Sequence, residues 1–257
     1  SHRVRVDTDL AWLLGYFLGD GSLGRARTST TNTYGSTYRY ERLRLRFHDE
    51  TTEVLDRVRA IVARVFGEQA AIQKDGRGSR GRTLTYTGRR AAGFFAALSA
   101  PGTKVYTLHM PRFIWEAGRE IALAFLAGLV DSDGTARDGR ATYCTAALEF
   151  ANDVGVLASL HGLGGGCTRS ASVAIATVIR RVVDADARVE FARHLTHPER
   201  RRRVLEYVPS AHERKFCMPL GTSLASEMFG AGHAPADWLR LPVGAGTLHL
   251  GRLHYEG

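Results

Sequence analysis

The hydrophobic pattern of the chain predicts two helices that are apolar on nearly every side. The first is marked by apolar residues at helical spacing, which are Leu10, Leu13, Leu14, Phe17 and Leu18. Asp9 is placed to cap the start of this helix. The second helix runs through residues 121–130, which carry no charge. A helix that is apolar all round must be buried all round, so we expect both helices in the core.

The pattern then predicts the same order of elements twice: helix, two strands, helix, two strands, helix. In the first copy the pattern marks three of the four strands, at 42–47, 70–74 and 82–87, and helices at 54–66 and 89–98. The second copy has predicted strands at 135–137, 140–145, 167–171 and 173–183 and predicted helices at 147–161 and 188–195. Residues 25–36 form a polar stretch to which no element is assigned.

The segment 42–47 alternates strictly between arginine and apolar residues. Arg42, Arg44 and Arg46 share one face of the predicted strand, and leucine and phenylalanine side chains occupy the other. A solvated strand face explains such a stripe when it stands alone. On a basic chain, the stripe also suits contact with a polyanion.

Both apolar helices end on an acid that a glycine follows, Asp20 in the first and Asp133 in the second. An acid at a helix end before a turn glycine is common, but here the feature occurs twice within a repeat. If the helices pack on each other, the two carboxylates meet at one level. Two carboxylates so close need a counter-ion, and hard oxygen ligands suit Mg²⁺.

Small residues four positions apart support close packing of the two helices. The first helix has Gly15 and Gly19, and the second has Gly128 and Ser132. Such spacing lets two helix backbones approach closely. The sequence therefore predicts a direct contact between the two helices.

Lysine is rare among the basic residues, with only Lys74, Lys104 and Lys215 in the whole chain. Lys104 follows Asp20 by 84 residues, and Lys215 follows Asp133 by 82. A compact ammonium can shift its pKa where a guanidinium cannot, so the nearly equal offsets indicate a paired role for these two lysines. Lys74 has no evident counterpart in the second copy.

Composition limits the classes of binding partner but does not identify one. The formal net charge of +9 and the pI near 9.9 favour nucleic acid, although an arginine-rich proteome would give the same balance. No apolar run reaches the roughly 18 residues of a membrane span. The three cysteines are widely spaced, and the first residues lack an apolar signal segment, so we expect reduced thiols and a cytoplasmic protein.

The segments "LLGYFLGDG" and "LAGLVDSDG" resemble the two signature motifs of the LAGLIDADG, or dodecapeptide, homing endonucleases. The segment "MPRFIWEAGREIALAFLAGLVDSDGT" is similar to the intein-type branch of that family. The resemblance covers roughly residues 9–219. It divides the chain into an N-terminal half (1–112), a C-terminal half (113–220) and an extension (221–257) of unassigned role.

The resemblance implies an α+β fold of two pseudo-symmetric αββαββα halves, each with an antiparallel sheet that forms a saddle on duplex DNA. It implies a monomer that cleaves both strands of a long site and leaves 3′ overhangs. Asp20 and Asp133, with the adjacent Gly19 and Ser132, would hold Mg²⁺, for which Mn²⁺ can substitute. Lys104 and Lys215 match the active-site lysines of the family.

The first motif departs from the family at Leu18, where an acid is often found and where the second motif has Asp131. That acid is not the metal ligand in the family, so the resemblance still implies activity.

Arginines of the strands and loops are the expected DNA contacts. They are Arg25, Arg27, Arg42, Arg44, Arg46, Arg77, Arg80, Arg82, Arg137, Arg140, Arg169 and Arg180. Two alternatives stay open at this point: a DNA-binding regulator that has lost cleavage, and an RNA maturase with the same fold. We also expect either a free-standing nuclease or one excised from an intein, in a prokaryotic cytoplasm and associated with the nucleoid.

Overall fold

The computed structural model describes residues 4–31, 33–74, 81–98, 108–170, 173–180, 183 and 185–206. Several predicted features lie outside these residues. They are Arg77, Arg80, Lys104, Lys215, Cys217 and the extension 221–257.

The N-terminal half contains three helices and four strands in its described part. They are α1 (Thr8–Gly19), β1 (Ser22–Thr31), β2 (Thr37–Asp49), α2 (Thr52–Phe66), β3 (Ile72–Lys74), β4 (Arg82–Tyr86) and α3 (Arg89–Leu98). The C-terminal half follows the same order with additional helices. Its elements are α4 (Arg112–Trp115), α5 (Arg119–Asp133), β5 (Gly134–Arg137), β6 (Arg140–Thr145), α6 (Leu148–Leu160), β7 (Gly166–Ser170), β8 (Val173–Ile179), α7 (Ala185–His194) and α8 (Pro198–Leu205).

Two four-stranded antiparallel sheets carry the repeat. The strand order is β1-β2-β4-β3 in the first sheet and β5-β6-β8-β7 in the second, so the two topologies are the same. The predicted α+β fold with two like halves is confirmed. Helices α1 and α5 lie together between the halves, and most of their residues are buried.

The start of α1 differs from the prediction. Asp7, rather than Asp9, is the N-cap, and its Oδ1 accepts a hydrogen bond of 2.8 Å from the Leu10 backbone N–H. Asp9 lies in the first helical turn and forms ion pairs with Arg57 and Arg64 at 3.1 Å each. The carboxylate therefore binds the neighbouring helix α2 instead of its own backbone.

The polar stretch 25–36 belongs largely to a strand that the pattern did not predict. Strand β1 has polar or small residues on both faces beyond Leu23, so it shows no alternation of apolar positions. Its backbone hydrogen bonds to β2 hold it in place. Helices α4 and α8 were also missed; α8 has a single buried residue, Val204, and four consecutive arginines.

Helices α1 and α5 contact each other through backbone atoms. A Cβ built on Gly15 would lie 2.0 Å from the carbonyl oxygen of Phe125, and one built on Gly128 would lie 2.0 Å from that of Trp12. Real Cβ atoms never come so close, so only glycine permits this approach. The predicted close packing of small residues is confirmed.

We predict that Gly128→Ala destabilises the protein by at least about 1–3 kcal/mol, because its methyl group would push two helix backbones apart. Urea unfolding followed by circular dichroism measures the change. Gly93→Ala is the matched control, since Gly93 lies within α3 and an added Cβ meets nothing within 4 Å. Better helix propensity should make the control neutral or stabilising by up to about 1 kcal/mol. Equal stability of the two variants would contradict the backbone contact.

Candidate active site at the helix ends

The two predicted acids lie at adjoining helix ends. Asp20 is the C-cap of α1, and Asp133 is the last residue of α5. A Cβ built on Gly19 would lie 1.7 Å from Ser132 Oγ and 3.6 Å from the Asp133 backbone nitrogen. The residues that directly precede the acids are therefore in contact, and the two chains leave the helix pair side by side. Both carboxylate-bearing residues are exposed at this end.

Asp20 opens onto a cleft of about 450 Å³ above the first sheet. Its lining is polar and comes from all four strands and the end of α1: Asp20, Ser22, Arg46, His48, Gln73, Lys74, Thr83 and Thr85. His48 Nδ1 lies 4.0 Å from Asp20 Oδ2. The Asp20 carboxylate thus faces hydrogen-bond donors and cationic side chains across the cleft. Such a surface suits an anionic substrate that binds together with a metal cation.

The corresponding place in the second half has different chemistry. Ser22 pairs with Arg46 two residues after Asp20, and Thr135 pairs with Thr142 two residues after Asp133. By the same register, Cys144 takes the place of His48. Burial, with a further contribution from Asp133, raises the pKa of the Cys144 thiol. Asp20 therefore has a guanidinium and an imidazole beside it. In the equivalent positions, Asp133 has a hydroxyl and a neutral thiol.

Lys74 corrects an expectation drawn from the sequence. It has a counterpart in the second half, because Lys74 and Arg169 occupy the same position in the register of their sheets. Lys74 also lines the cleft that contains Asp20. It is therefore part of the candidate site rather than a surface residue remote from it.

The predicted DNA-contacting arginines of the first hairpin lie on two opposite faces. Cross-strand partners share a face, so Arg42, Arg44 and Arg46 lie on the side of Ser22 and the cleft. Arg25 and Arg27 lie on the other side and form ion pairs with Glu41 at 3.5 and 3.3 Å. Only the first set is directed to the same side as Asp20.

The remaining predicted arginines in the described residues are spread over both sheets. Arg82 pairs with Lys74 across β4 and β3, and Arg140 donates a hydrogen bond of 3.1 Å to Thr177 Oγ1. Arg137 is exposed beside Asp138 at the turn of the second hairpin. Arg169 and Arg180 are exposed at strand ends. None of these five adjoins Asp20 as Arg46 does.

Asp131 has a structural role that the sequence did not indicate. It is fully buried, and its carboxylate accepts hydrogen bonds from Trp12 Nε1 at 2.9 Å and from the backbone N–H groups of Thr196 and His197 at 2.6 and 3.1 Å. Burial raises the pKa of this carboxyl, and the three donors lower it in part. The equivalent Leu18 packs in the core, so only the second motif ties down a distant loop.

Arg57 completes this contact between the halves. From α2 it donates hydrogen bonds to the His194 carbonyl at 2.8 Å and to Thr196 Oγ1 at 2.6 Å, and its guanidinium lies 4.3 Å from the centre of the Trp12 ring. We define Trp12, Arg57, Asp131 and Thr196 as the inter-half network. The partners are far apart in sequence, so no local pattern could have identified them.

The donor set at the helix ends fits a divalent cation of the Mg²⁺ type. Among the described residues, no three histidine, cysteine or carboxylate side chains converge on one point. Asp20 and Asp133 with the carbonyls of Gly19 and Ser132 would therefore supply part of an oxygen shell, which water and phosphate oxygens would complete. Arg200 also reaches this end of α5, where it hydrogen bonds to the Asp131 carbonyl and lies 3.4 Å from that of Ser132.

Two family models match the chain, one on each half. Residues 6–88 match the PI-PfuI endonuclease subdomain, and residues 120–196 match the LAGLIDADG-like domain. Each match includes the acid-tipped helix and the sheet of its half. The chain is therefore an α+β protein whose first half is similar to an endonuclease subdomain and whose second half is similar to a LAGLIDADG-like domain.

Solved structures with a similar arrangement include I-DmoI in complex with DNA and Mn. It is 14% identical, with a TM-score of 0.48 over 74% of this chain and 97% of that chain. I-SmaMI bound to an uncleaved DNA target in the presence of calcium ions is 11% identical, with a TM-score of 0.44 over 74% of this chain and 85% of that chain. No curated protein sequence matches the chain significantly. No helix in the described ranges is long and apolar enough to cross a membrane.

We predict that Asp131→Asn destabilises the protein by about 1–3 kcal/mol, because an amide would turn N–H groups toward the N–H donors that now bind the carboxylate. Urea unfolding measures the loss. Asp138→Asn is the control: Asp138 is exposed in a turn with a φ of 50°, which asparagine adopts equally well. A variant at Asp131 no less stable than the control would show that the inter-half network adds no stability.

Proposed function

We propose that the chain is a site-specific homing endonuclease, which makes a double-strand break in a long duplex DNA target by Mg²⁺-dependent phosphodiester hydrolysis and leaves 3′ overhangs. One observation carries the proposal: two acids lie at touching helix ends, and one of them, Asp20, opens onto a sheet face that is lined by cations. This arrangement combines a place for a divalent cation with a surface for a polyanion. The enzyme would act as a monomer on DNA in a prokaryotic cytoplasm.

Each half contributes one acid, and the acids serve the cation rather than the DNA. Asp20 and Asp133, with the carbonyls of Gly19 and Ser132, would hold Mg²⁺. When bound, the ion supplies Lewis-acid activation of water and stabilisation of the leaving oxygen. The carboxylates themselves repel phosphate, so they would lower the affinity for DNA when the ion is absent.

The cationic residues position the phosphodiester and offset its charge. In the N-terminal half, Arg46 and Lys74 line the cleft beside Asp20 and would bind phosphate oxygens there. Lys104 and Lys215, which lie outside the described residues, would orient the attacking water or neutralise charge that develops on the phosphate. The affiliation with intein-type enzymes rests on the sequence resemblance alone and stays a prediction.

We predict that Asp20→Asn and Asp133→Asn each abolish double-strand cleavage and preserve DNA binding, because removal of a negative charge favours an anionic ligand. Cleavage is measured on a supercoiled plasmid that carries the uninterrupted form of the genomic insertion site. Binding is measured by gel shift with Ca²⁺ in place of Mg²⁺. Asp56→Asn, in an exposed ion pair on α2, is the control and should cleave normally.

The two acids have a structural role instead if their variants also lose binding and show altered near-ultraviolet circular dichroism. Binding without cleavage by the unaltered chain would leave a DNA-binding regulator. Preference for RNA over duplex DNA would favour a maturase.

We predict that Arg44→Ala weakens duplex binding by about 1–3 kcal/mol and lowers the salt dependence of log K by about one unit, because one phosphate or base contact is lost. Arg27→Ala is the matched control on the opposite face of the same hairpin, where the side chain pairs with Glu41. It should change the affinity much less. Fluorescence anisotropy from 50 to 200 mM salt compares the duplex affinities of the two variants. Equal losses of affinity would show that DNA binding does not distinguish the two faces of the hairpin.

A further inference from the structure

The two halves carry hairpins of unequal length on otherwise like sheets. In the first, β1 and β2 form ten successive residue pairs, from Ser22 with Arg46 to Thr31 with Thr37. In the second, β5 and β6 form four, and a turn at Asp138 and Gly139 closes the hairpin. We name the paired segments 22–31 and 37–46 the long ribbon, and 134–137 and 140–143 the short ribbon.

The outer part of the long ribbon has no role in the core. Strand β4 pairs with β2 only at Leu45 to Asp49, so beyond Leu43 the described strands form a two-stranded ribbon alone. The side chains described there are exposed or nearly so. A two-stranded hairpin without a third strand or a buried face has little stability of its own. Folding of the domain therefore does not explain the extra length.

The long ribbon has the surface of a binding element. Tyr38 is 58% exposed on the cleft side and Tyr34 is 91% exposed at the tip, two of the largest apolar exposures among the described residues. Exposed aromatic residues at the end of a cationic surface are typical of contact with a partner rather than with water.

Charge and shape indicate which partner suits the cleft side of the ribbon. Arg42, Arg44 and Arg46 follow one another along β2, while their neighbours on β1 are small. A Cβ built on Gly24 meets nothing within 4 Å, so the surface beside Arg44 is open. A two-stranded ribbon fits the major groove of duplex DNA, and small residues on one strand let the groove edge come close.

We infer that the long ribbon extends the DNA contact of the N-terminal half, so the recognised site is asymmetric about the point of cleavage. This inference rests on the proposed function. Six additional residue pairs at about 3.4 Å each add roughly 20 Å. Duplex DNA rises about 3.4 Å per base pair, and a ribbon in the groove is inclined to the DNA axis. The added length therefore corresponds to about four to six further base pairs on the side of the N-terminal half.

The test shortens the long ribbon from ten residue pairs to five, close to the four of the short ribbon. Ala26 and Arg42 are cross-strand partners, as are Arg137 and Arg140 around their two-residue turn. In the truncated variant, Asp-Gly copied from residues 138–139 replaces residues 27–41. The φ values of Asp138 and Gly139 are 50° and 74°, as a tight hairpin turn of this type requires.

Both proteins are compared on duplexes that the full chain selects from a randomised library with Ca²⁺ in place of Mg²⁺. Hydroxyl-radical footprinting maps the contacts, and later addition of Mg²⁺ marks the break. The full chain should protect more base pairs on one side of the break than on the other. The truncated variant should lose about four to six of them from that side only, with the break at the same position.

Point variants keep the test valid if the truncated variant does not fold. Tyr38→Ala should remove protection at the outermost base pairs of the longer side. Arg137→Ala, at the tip of the short ribbon, is the matched control and should affect only the other side. A symmetric footprint, or one that neither change shortens, would overturn the inference and leave the endonuclease intact. Failure of the full chain to select any duplex would instead overturn the proposed function.

Discussion

The direct contact of two helix backbones determines most of this structure. Gly15 and Gly128 each lie against a carbonyl of the opposite helix, where even a methyl group has no room. Because the helices approach so closely, Gly19 and Ser132 also touch one turn further on. The acids that follow therefore leave the helix pair side by side. The positions of the sheets follow from this as well, because β1 and β5 begin directly after the two helices.

Further contacts between the halves maintain this arrangement. Trp12 belongs to the first helix, Asp131 to the second, and Arg57 joins both to the segment after α7. A buried carboxylate that lost one donor would be costly, so the network favours a single relative position of the halves. Precise placement would matter for the proposed cation, because an ion shared between two halves tolerates little movement of its ligands.

Hydrophobic periodicity and the spacing of small residues in the sequence predicted much of the fold. The apolar helices, the glycines between them and the alternation at 42–47 are local patterns, and the structure contains each of them. Strand β1 was missed because both its faces are polar and only backbone pairing holds it. The cap at Asp7 was missed because Asp9 had the same residue type two positions nearer the apolar run.

The acids of the candidate site were predictable because they repeat. Asp20 and Asp133 stand in like motifs, so the sequence indicated them together. His48 and Lys74 enter the same cleft through the registers of three strands, which sequence spacing does not give. The partners of Asp131 lie 65 and more residues away along the chain, and no single segment shows them.

The shared scaffold does not impose shared chemistry. Across the register, Arg46 and His48 beside Asp20 correspond to Thr142 and Cys144 beside Asp133. The first acid therefore has cationic or proton-bearing neighbours, while the second adjoins a hydroxyl and a thiol that burial keeps neutral. A phosphate bound next to the second acid must be balanced by charge from elsewhere. Lys215 is a candidate by sequence, and Arg200 reaches the carbonyls at the same helix end. The backbone repeat brings the two acids together, but the side chains around each acid differ, so the two halves would have to balance the charge of a bound phosphate in different ways.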